Sequence, residues 1–340
     1  MKPSVAWLPA GLDGCALYRM FFAHLRMEGS IFLFQPMRMQ VDLLKDRNIV
    51  VVQRLSSQQN YEAIQLFKKM KLKIIYDLDD DLWSVPTFNP AHRLMKKWLP
   101  GFEICAKMAD MITVSTEHLR VMVRNALGKK CPPVAVVENA VDFDWFRPVA
   151  EKYRKNRDGR VVLGWAGTDT HSGDVEKVFA LVPALLKDNP ELDFEVVGTG
   201  ISEELKSFGD RVRQKGFVPI AEFAANWASW QWDISLAPVA ENSFNLSKSN
   251  IKMLEAAAMK IPCVASRYGE YKKFANHSEL LQIIVQAENA RDWRTRIQAL
   301  IDSPTYRKKA GEEMYRVGQE KYNIIHRVSQ WNKLFEEVLA

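Results

Sequence analysis

Lys248 and Lys252 stand four residues apart, ahead of Glu255, in the stretch NLSKSNIKMLEAAAMKIPCVAS. The start reads as a helix and the end, PCVAS, as a buried strand. At that spacing the lysines would share one helix face near its first turn, where like charges repel by about 0.2–0.5 kcal/mol. A cation there also opposes the helix dipole, at about 0.3–1 kcal/mol. The same placement becomes favourable once a diphosphate sits on the free amides of the helix start. Glu255 falls two turns past Lys248, and a carboxylate suits a ribose diol. The alternative is a surface helix whose Lys252 pairs with a nearby acid.

The second concentration of chemistry is YDLDDDLW, where Asp77, Asp79, Asp80 and Asp81 crowd a strand end. Mutual repulsion makes that costly unless a cation, hydroxyl donors or helix amides offset it. A divalent metal site, an acceptor site in which an Asp positions or deprotonates a hydroxyl, and a capping turn all remain open. Other loops offer softer signals. PAGLDGCALYRM sets Gly11 and Gly14 at a strand-to-helix turn, with Arg19 one turn on. GWAGTDTHSGD supplies Gly167, Thr168 and His171; VVGTG supplies Gly198; KGFVP supplies Phe217 and Val218, which could flank a base. Glycines at such turns let backbone approach a phosphate closely.

Short apolar runs alternate with helical patterns along the 340 residues. Strands are expected at 4–9, 48–53, 73–78, 111–115 and 134–139, with helices near 16–27, 57–70, 92–108 and 116–127. A second series has strands at 161–167, 192–198, 213–218, 233–238 and 262–266, with helices near 174–187, 202–208 and 221–229. That βα order predicts two doubly wound parallel sheets with ligands at the strands' carboxyl ends. The charged segment 143–160, with Pro148 and Gly159, suits a linker. Expected domains are 1–148 and 149–320, with 321–340 a helix packing back on the first.

The chain carries 47 Lys+Arg against 41 Asp+Glu. Residues 1–150 hold 20 and 15 of these, and the remainder 27 and 26. The excess of +5 gathers in FKKMKLK, HRLMKKW and RVMVRNALGKK, and either coats solvated helices or meets an anionic partner such as DNA, an acidic glycan or a lipid headgroup. The 4 cysteines are scattered, which disfavours disulfides and structural zinc. No run reaches the ~20 apolar residues of a membrane span and the first residues do not read as a signal peptide, so a cytoplasmic protein is expected.

VAVVENAVDFDWFRP, ADMITVSTEHL and LAPVAENSFNLSKSNIKMLEAAAMKIPCVAS together resemble the group 1 nucleotide-sugar glycosyltransferases of GT-B fold. The resemblance runs over most of the chain in the right order. The pairing of DLDDDLW with KSNIKMLE is similar to divergent branches, some from phages. The resemblance implies transfer of a hexose or pentose from a nucleotide sugar to a hydroxyl, with retention and without metal. The donor, expected to be UDP-linked, would bind the second domain and the acceptor the first.

By position, Glu255 matches the family's ribose-binding glutamate, and the amides of Ser249, Asn250 and Ile251 match those at the phosphates. Gly11 and Gly14 match the first-domain glycine loop, and Asn139 and Asp142 the motif that ends that domain. Ser247 stands where the first of the family's two glutamates belongs. The usual Arg and Lys after the second domain's first strand are missing, so Lys248 and Lys252 are expected to supply that charge. Asp79, Asp80, Lys252 and Glu255 are the expected catalytic residues, Arg19, Asp79 and Asp81 the acceptor contacts, and no metal or cofactor is expected. The expected acceptor is a glycan or lipid-linked sugar. The alternatives are a hydroxylated base in DNA, or a protein that binds sugar or nucleotide without catalysis.

Overall fold

The computed structural model describes residues 2–34, 41–152, 159–216, 218–219, 222–284 and 286–340. Among the described residues twelve strands form two all-parallel sheets. The first holds β1 (Val5–Leu8), β2 (Ile31–Phe32), β3 (Ile49–Gln53), β4 (Lys73–Leu78), β5 (Met111–Val114) and β6 (Val134–Val136), in the order β2-β1-β3-β4-β5-β6. The second holds β7 (Val161–Ala166), β8 (Leu192–Val197), β9 (Val212–Lys215), β10 (Ile234–Ala237), β11 (Cys263–Ser266) and β12 (Gln286–Ala287), in the order β12-β11-β10-β7-β8-β9. The strand order reverses direction between β1 and β3, and again between β7 and β10. A doubly wound sheet opens a crevice for ligands at such a reversal.

The central strands are buried on both faces, as parallel strands under helices must be. Side-chain alternation sorts them: Val5, Trp7, Ile49, Val51 and Ile75 face one core, while Ala6, Leu8, Val50, Val52, Ile74 and Tyr76 face another. The first of these cores continues into the second domain. The helix Ile324–Leu339 covers it, with Trp331 edge-on to Trp7 at 5.1 Å between ring centroids and Phe335 at 5.9 Å. Val141 exchanges backbone hydrogen bonds with Tyr322 and Ile324, tying the chain's end to the segment after β6. The last helix therefore packs on the first domain.

The structure departs from the sequence reading in four places. The supposed linker begins as the helix Phe143–Lys152, anchored by Phe143 and Phe146, which are fully buried. Its aromatic spacing outweighs Pro148. The helix expected at 174–187 is two, Ser172–Phe179 and Val182–Asp188, with Pro183 starting the second, where its missing N–H costs nothing. The edge strands β2 and β12, two residues each, were not anticipated. Lys248 lies outside the helix expected to carry it, as described below.

The helix His92–Lys107 is seated by Gly101. A Cβ at that position would stand 1.9 Å from the Ser56 carbonyl oxygen. Gly101→Ala gains about 1 kcal/mol of helix propensity, but overpacking against fixed backbone costs about 1–3 kcal/mol. The clash should win, and a urea midpoint below that of the unmodified protein would show it.

Candidate active site

The second sheet's reversal point gathers the loop after β7, the loop after β10 and the start of the helix Ile251–Ala258. The anticipated single helix is broken here. A short helix, Ser243–Leu246, ends before Ser247, and the next starts only at Ile251, with Asn250 in the cap position and no side-chain cap. Asparagine and serine side chains compete with helical hydrogen bonding. Asn242 caps the first piece, and Asn245 turns its amide to Asp174 and to the Ala240 carbonyl. Lys248 thus sits in the connecting turn and not on a shared helix face, yet it still repels Lys252 and adds to the lowering of that residue's pKa.

The two lysines nevertheless converge. Lys252 reaches the end of β7, where its Nζ donates to the Ala166 carbonyl at 2.5 Å and lies 5.2 Å from the Trp165 ring centre. Burial pulls its pKa down, opposed by Glu255. Lys248 Nζ lies 3.7 Å from Asp174 and 3.5 Å from His171. Gly167 is required beside them, because a Cβ there would stand 2.6 Å from the Trp165 ring and 3.1 Å from Lys252 Nζ. Gly198 has φ +87°, and its Cβ would approach the Gly167 carbonyl to 2.7 Å. Thr168 is exposed and its hydroxyl bonds Thr170 at 2.7 Å.

Asp174 organises this corner. It accepts from the Ala240 amide at 2.9 Å, from Asn245 at 2.6 Å and from His171 Nδ1 at 2.9 Å. Burial raises its pKa, but His171, Lys248 and the Ala240 amide together hold it below the usual carboxylate value. His171 is pushed down to about 4 by burial and by Lys252, so it is neutral at pH 7. With Nδ1–H given to Asp174, its Nε2 is an acceptor.

A folded-state pKa below the free value of about 6.5 means the unfolded chain binds the proton first. Stability is therefore complete above pH 6.5 and declines as pH falls toward 4, by about 1–3 kcal/mol. Urea midpoints at pH 7 and pH 4.5 should show that loss, and His171→Asn should remove most of it.

Glu255 is buried deeper than a ligand contact on an open wall would be. Tyr18, from the first domain, donates its hydroxyl to Glu255 at 2.5 Å. Burial raises the Glu255 pKa, against the opposing pull of Lys252 and the Tyr18 hydroxyl. Ser247 is fully buried, and its carbonyl accepts from the Thr116 hydroxyl at 3.0 Å. Ser249 accepts from Asn139 at 2.8 Å, and Asn89 donates to the Thr170 carbonyl at 3.3 Å. These bonds join the two domains directly beside the lysines. Asn250 is buried, with its amide 3.4 Å from the Glu270 carbonyl. Val218 packs on the core of the second domain. Phe217 lies outside the described residues.

In the first domain the four clustered aspartates separate by role. Asp77 is fully buried and receives Arg19 through two bonds, 2.7 and 3.1 Å, plus the Thr113 hydroxyl at 2.7 Å. Arg19, 2% exposed, also holds the Val137 carbonyl and Asn139. Its donors are committed inside the protein, so the structure makes it a strut between strand ends and not an acceptor contact. It sits in a π-helical turn, Leu17–Phe21, a distortion frequent near functional sites. Asp81 is fully buried and caps a turn through the Trp83 and Ser84 amides at 3.1 and 3.2 Å, so it is not placed to meet an acceptor. Asp142, from the domain-end motif, pairs with Arg26 at 2.6 Å.

Asp79 and Asp80 remain at the cleft. A thiol sulfur from Cys15 and one carboxylate oxygen from each lie within 4.8 Å of one another, close enough to share a cation. The Arg54 guanidinium, 3.8 Å from Asp79 and 2.9 Å from Asp13, already supplies positive charge there. Asp79 is 8% exposed and its Oδ1 has no hydrogen-bond partner among the described residues. Burial raises its pKa, with Arg54 opposing and Asp80 adding to the rise. Gly11 and Gly14 edge this region, and a Cβ on either would meet nothing closer than 3.8 Å, so neither is demanded by packing. Between Asp13, Arg54 and the helix His92–Lys107 a pocket of about 350 Å³ opens at the first sheet's reversal point. The residues sequence reading passed over are Tyr18, Arg54, Asp174 and Cys15. Of these Cys15, Tyr18 and Asp174 lay inside segments already singled out, and only Arg54 did not.

Residues 160–303 match the family of group 1 glycosyl transferases. The second domain thus matches a group 1 glycosyl transferase domain, and the chain has a GT-B fold. A curated relative, the putative teichuronic acid biosynthesis glycosyltransferase TuaH of Bacillus subtilis (strain 168), is 23% identical over 279 residues. That match takes in 78% of this chain and 66% of the relative's own length. Sucrose-phosphate synthase from Thermosynechococcus elongatus superposes with a TM-score of 0.67 at 13% identity, over 100% of this chain and 99% of that one. Anabaena Alr3699/HepE, in complex with UDP and glucose, gives 0.66 at 11% identity, over 98% and 99%. Among the described residues no helix is long and apolar enough to cross a membrane.

Proposed function

We propose that the protein moves a sugar from a nucleotide-diphosphate sugar to an acceptor hydroxyl. The observation that carries this reading is the convergence of Lys248 and Lys252 on the uncapped helix Ile251–Ala258 at the second sheet's reversal point. Two cations and free helix amides fit a diphosphate, and a uridine diphosphate is bound by the structurally similar HepE. As the bond from sugar C1 to the β-phosphate oxygen breaks, negative charge grows on the diphosphate. Fixed cations there stabilise it without reorganisation. That assigns leaving-group charge to lysines and amides, with no metal needed at the phosphates. His171, neutral and oriented by Asp174, is placed to accept from a sugar hydroxyl through Nε2.

The acceptor enters from the first domain, with Asp79 and Asp80 beside the incoming hydroxyl. Its oxygen bonds to C1 as the bond from C1 to the β-phosphate oxygen breaks, and its one proton passes to the Asp79 carboxylate. The chain's family supports retention of anomeric configuration and a glycan or lipid-linked sugar as acceptor. A cytoplasmic location fits the use of a nucleotide-sugar donor. Incubation with UDP-, GDP- and ADP-sugars should release nucleotide diphosphate from one class. Binding of that nucleotide without turnover, in the presence of hydroxylated acceptors, would instead support a non-catalytic binding protein.

A further inference from the structure

Arg54 follows β3 with φ +46°, in the left-handed region that glycine enters freely and arginine enters only under strain. Its surroundings hold it there. Its amide donates to the Asp77 carbonyl at 3.3 Å, and the carbonyl of the next residue, Leu55, takes the buried Tyr76 hydroxyl at 2.7 Å. Strain of this kind persists where neighbouring structure over-determines it, and it concentrates at functional sites. The Arg54 side chain lines the pocket of about 350 Å³ at the first sheet's reversal point, together with Asp13.

The guanidinium has two carboxylate neighbours at unequal distances. Nη2 donates to Asp13 at 2.9 Å, while Nε stands 3.8 Å from Asp79 Oδ1. The first contact is a hydrogen bond and the second is too long for one. Attraction between charges falls only as the inverse of distance, so Asp79 still feels the cation. Yet its Oδ1 has no hydrogen-bond partner among the described residues. A base needs both conditions, a charge kept on and a lone pair left open. Asp13 is a fixed tether, because its other oxygen caps a helical turn through the Ala16 amide at 2.9 Å. Burial and Asp80 favour the protonated form of Asp79; Arg54 opposes them, joined by the Cys15 thiol and Arg19. Arg19 is already paired with Asp77 at 2.7 Å, which leaves Arg54 as the main counterweight.

We propose that Arg54 is a positioning residue for the transfer: tethered by Asp13, it sets its charge beside Asp79 without occupying the oxygen that the acceptor's hydroxyl must reach. The use of Asp79 as the base rests on the transferase reading; the hold of Arg54 on Asp79 does not. Two readouts therefore test it. One is the pH profile of kcat, and the other is the NMR carboxyl resonance that Asp79→Asn removes from protein labelled at its aspartates. In Arg54→Gln the acid limb of the profile and the titration of that resonance should both move up by about one pH unit or more, with the donor's KM unchanged. Arg54→Lys should return both most of the way. Asp13→Asn keeps the helix cap and frees the guanidinium to close on Asp79, so both should move down and kcat should fall. The proposal is overturned if the resonance titrates at the same pH in Arg54→Gln as in the parent, if lysine restores nothing, or if Asp13→Asn moves it in the same direction as Arg54→Gln. If Arg54→Gln does not fold, the direction of the Asp13→Asn shift decides alone. If no donor sugar is turned over, the transferase reading fails, and the resonance still shows whether Arg54 governs Asp79.

Discussion

Replacing Lys252 with alanine should lower turnover about 10²–10³-fold and leave the fold intact. The magnitude is that of removing one preorganised partner of transition-state charge, about 2.7–4 kcal/mol. The fold should survive for a reason visible in the free protein. Lys252 has no carboxylate within ion-pair distance among the described residues, and its ammonium rests on a single carbonyl, that of Ala166. Burial already lowers its pKa, which means the charged form is held there at a cost. Alanine removes that cost along with the side chain's packing on Trp165, so the melting temperature should move little in either direction. Arginine should rescue poorly, since Nζ already lies 3.1 Å from where a Gly167 Cβ would sit and the larger guanidinium has little room. Lys248→Ala should have a smaller effect, because Asp174 already pairs with that charge in the free protein.

Asp79→Asn should reduce kcat about 10²–10⁴-fold with little change in the concentration of donor needed for half-saturation. Asparagine keeps the shape and loses the charge. Asp79 and Asp81 each keep a buried oxygen with no hydrogen-bond partner among the described residues, but Asp79 is 8% exposed and Asp81 0%, so Asp79 is the one an incoming hydroxyl can approach. Its raised pKa has a further consequence. Activity that depends on the ionised carboxylate should fall on the acid side at a pH above the ordinary Asp value of 3.8, as protons fill the group. Asp81→Asn should behave oppositely. Asp81 caps its turn through two backbone amides, so its loss should lower stability by about 1 kcal/mol and leave kcat near normal. A stability loss at Asp79 paired with a kcat loss at Asp81 would reverse the assignment of the two residues.

Much of the architecture was legible because parallel strands buried on both faces announce themselves as apolar runs. β4 falls on 73–78 as expected, and the remaining long strands differ only at their ends. The two-residue strands β2 and β12 carry no periodicity to detect. Chemistry was legible where it was local: glycines at Gly167 and Gly198, and aspartates crowded after β4. It was hidden where partners are distant in sequence. Arg19 faces inward because Asp77 lies 58 positions away, and Glu255 meets Tyr18 across 237. No local pattern distinguishes an inward arginine from one facing the cleft. The break between Ser247 and Asn250 was readable in part, from the density of Ser and Asn, yet the apolar period beyond it dominated the helix assignment.

The central claim is that Lys248, Lys252 and the start of the helix Ile251–Ala258 hold a diphosphate. Calorimetric titration with UDP, GDP and ADP tests it most directly. One nucleotide should bind at a single site, and Lys252→Ala should weaken it at least tenfold while the variant melts like the parent. Absence of binding by all three nucleotides, or undiminished binding by a correctly folded Lys252→Ala variant, would contradict the account.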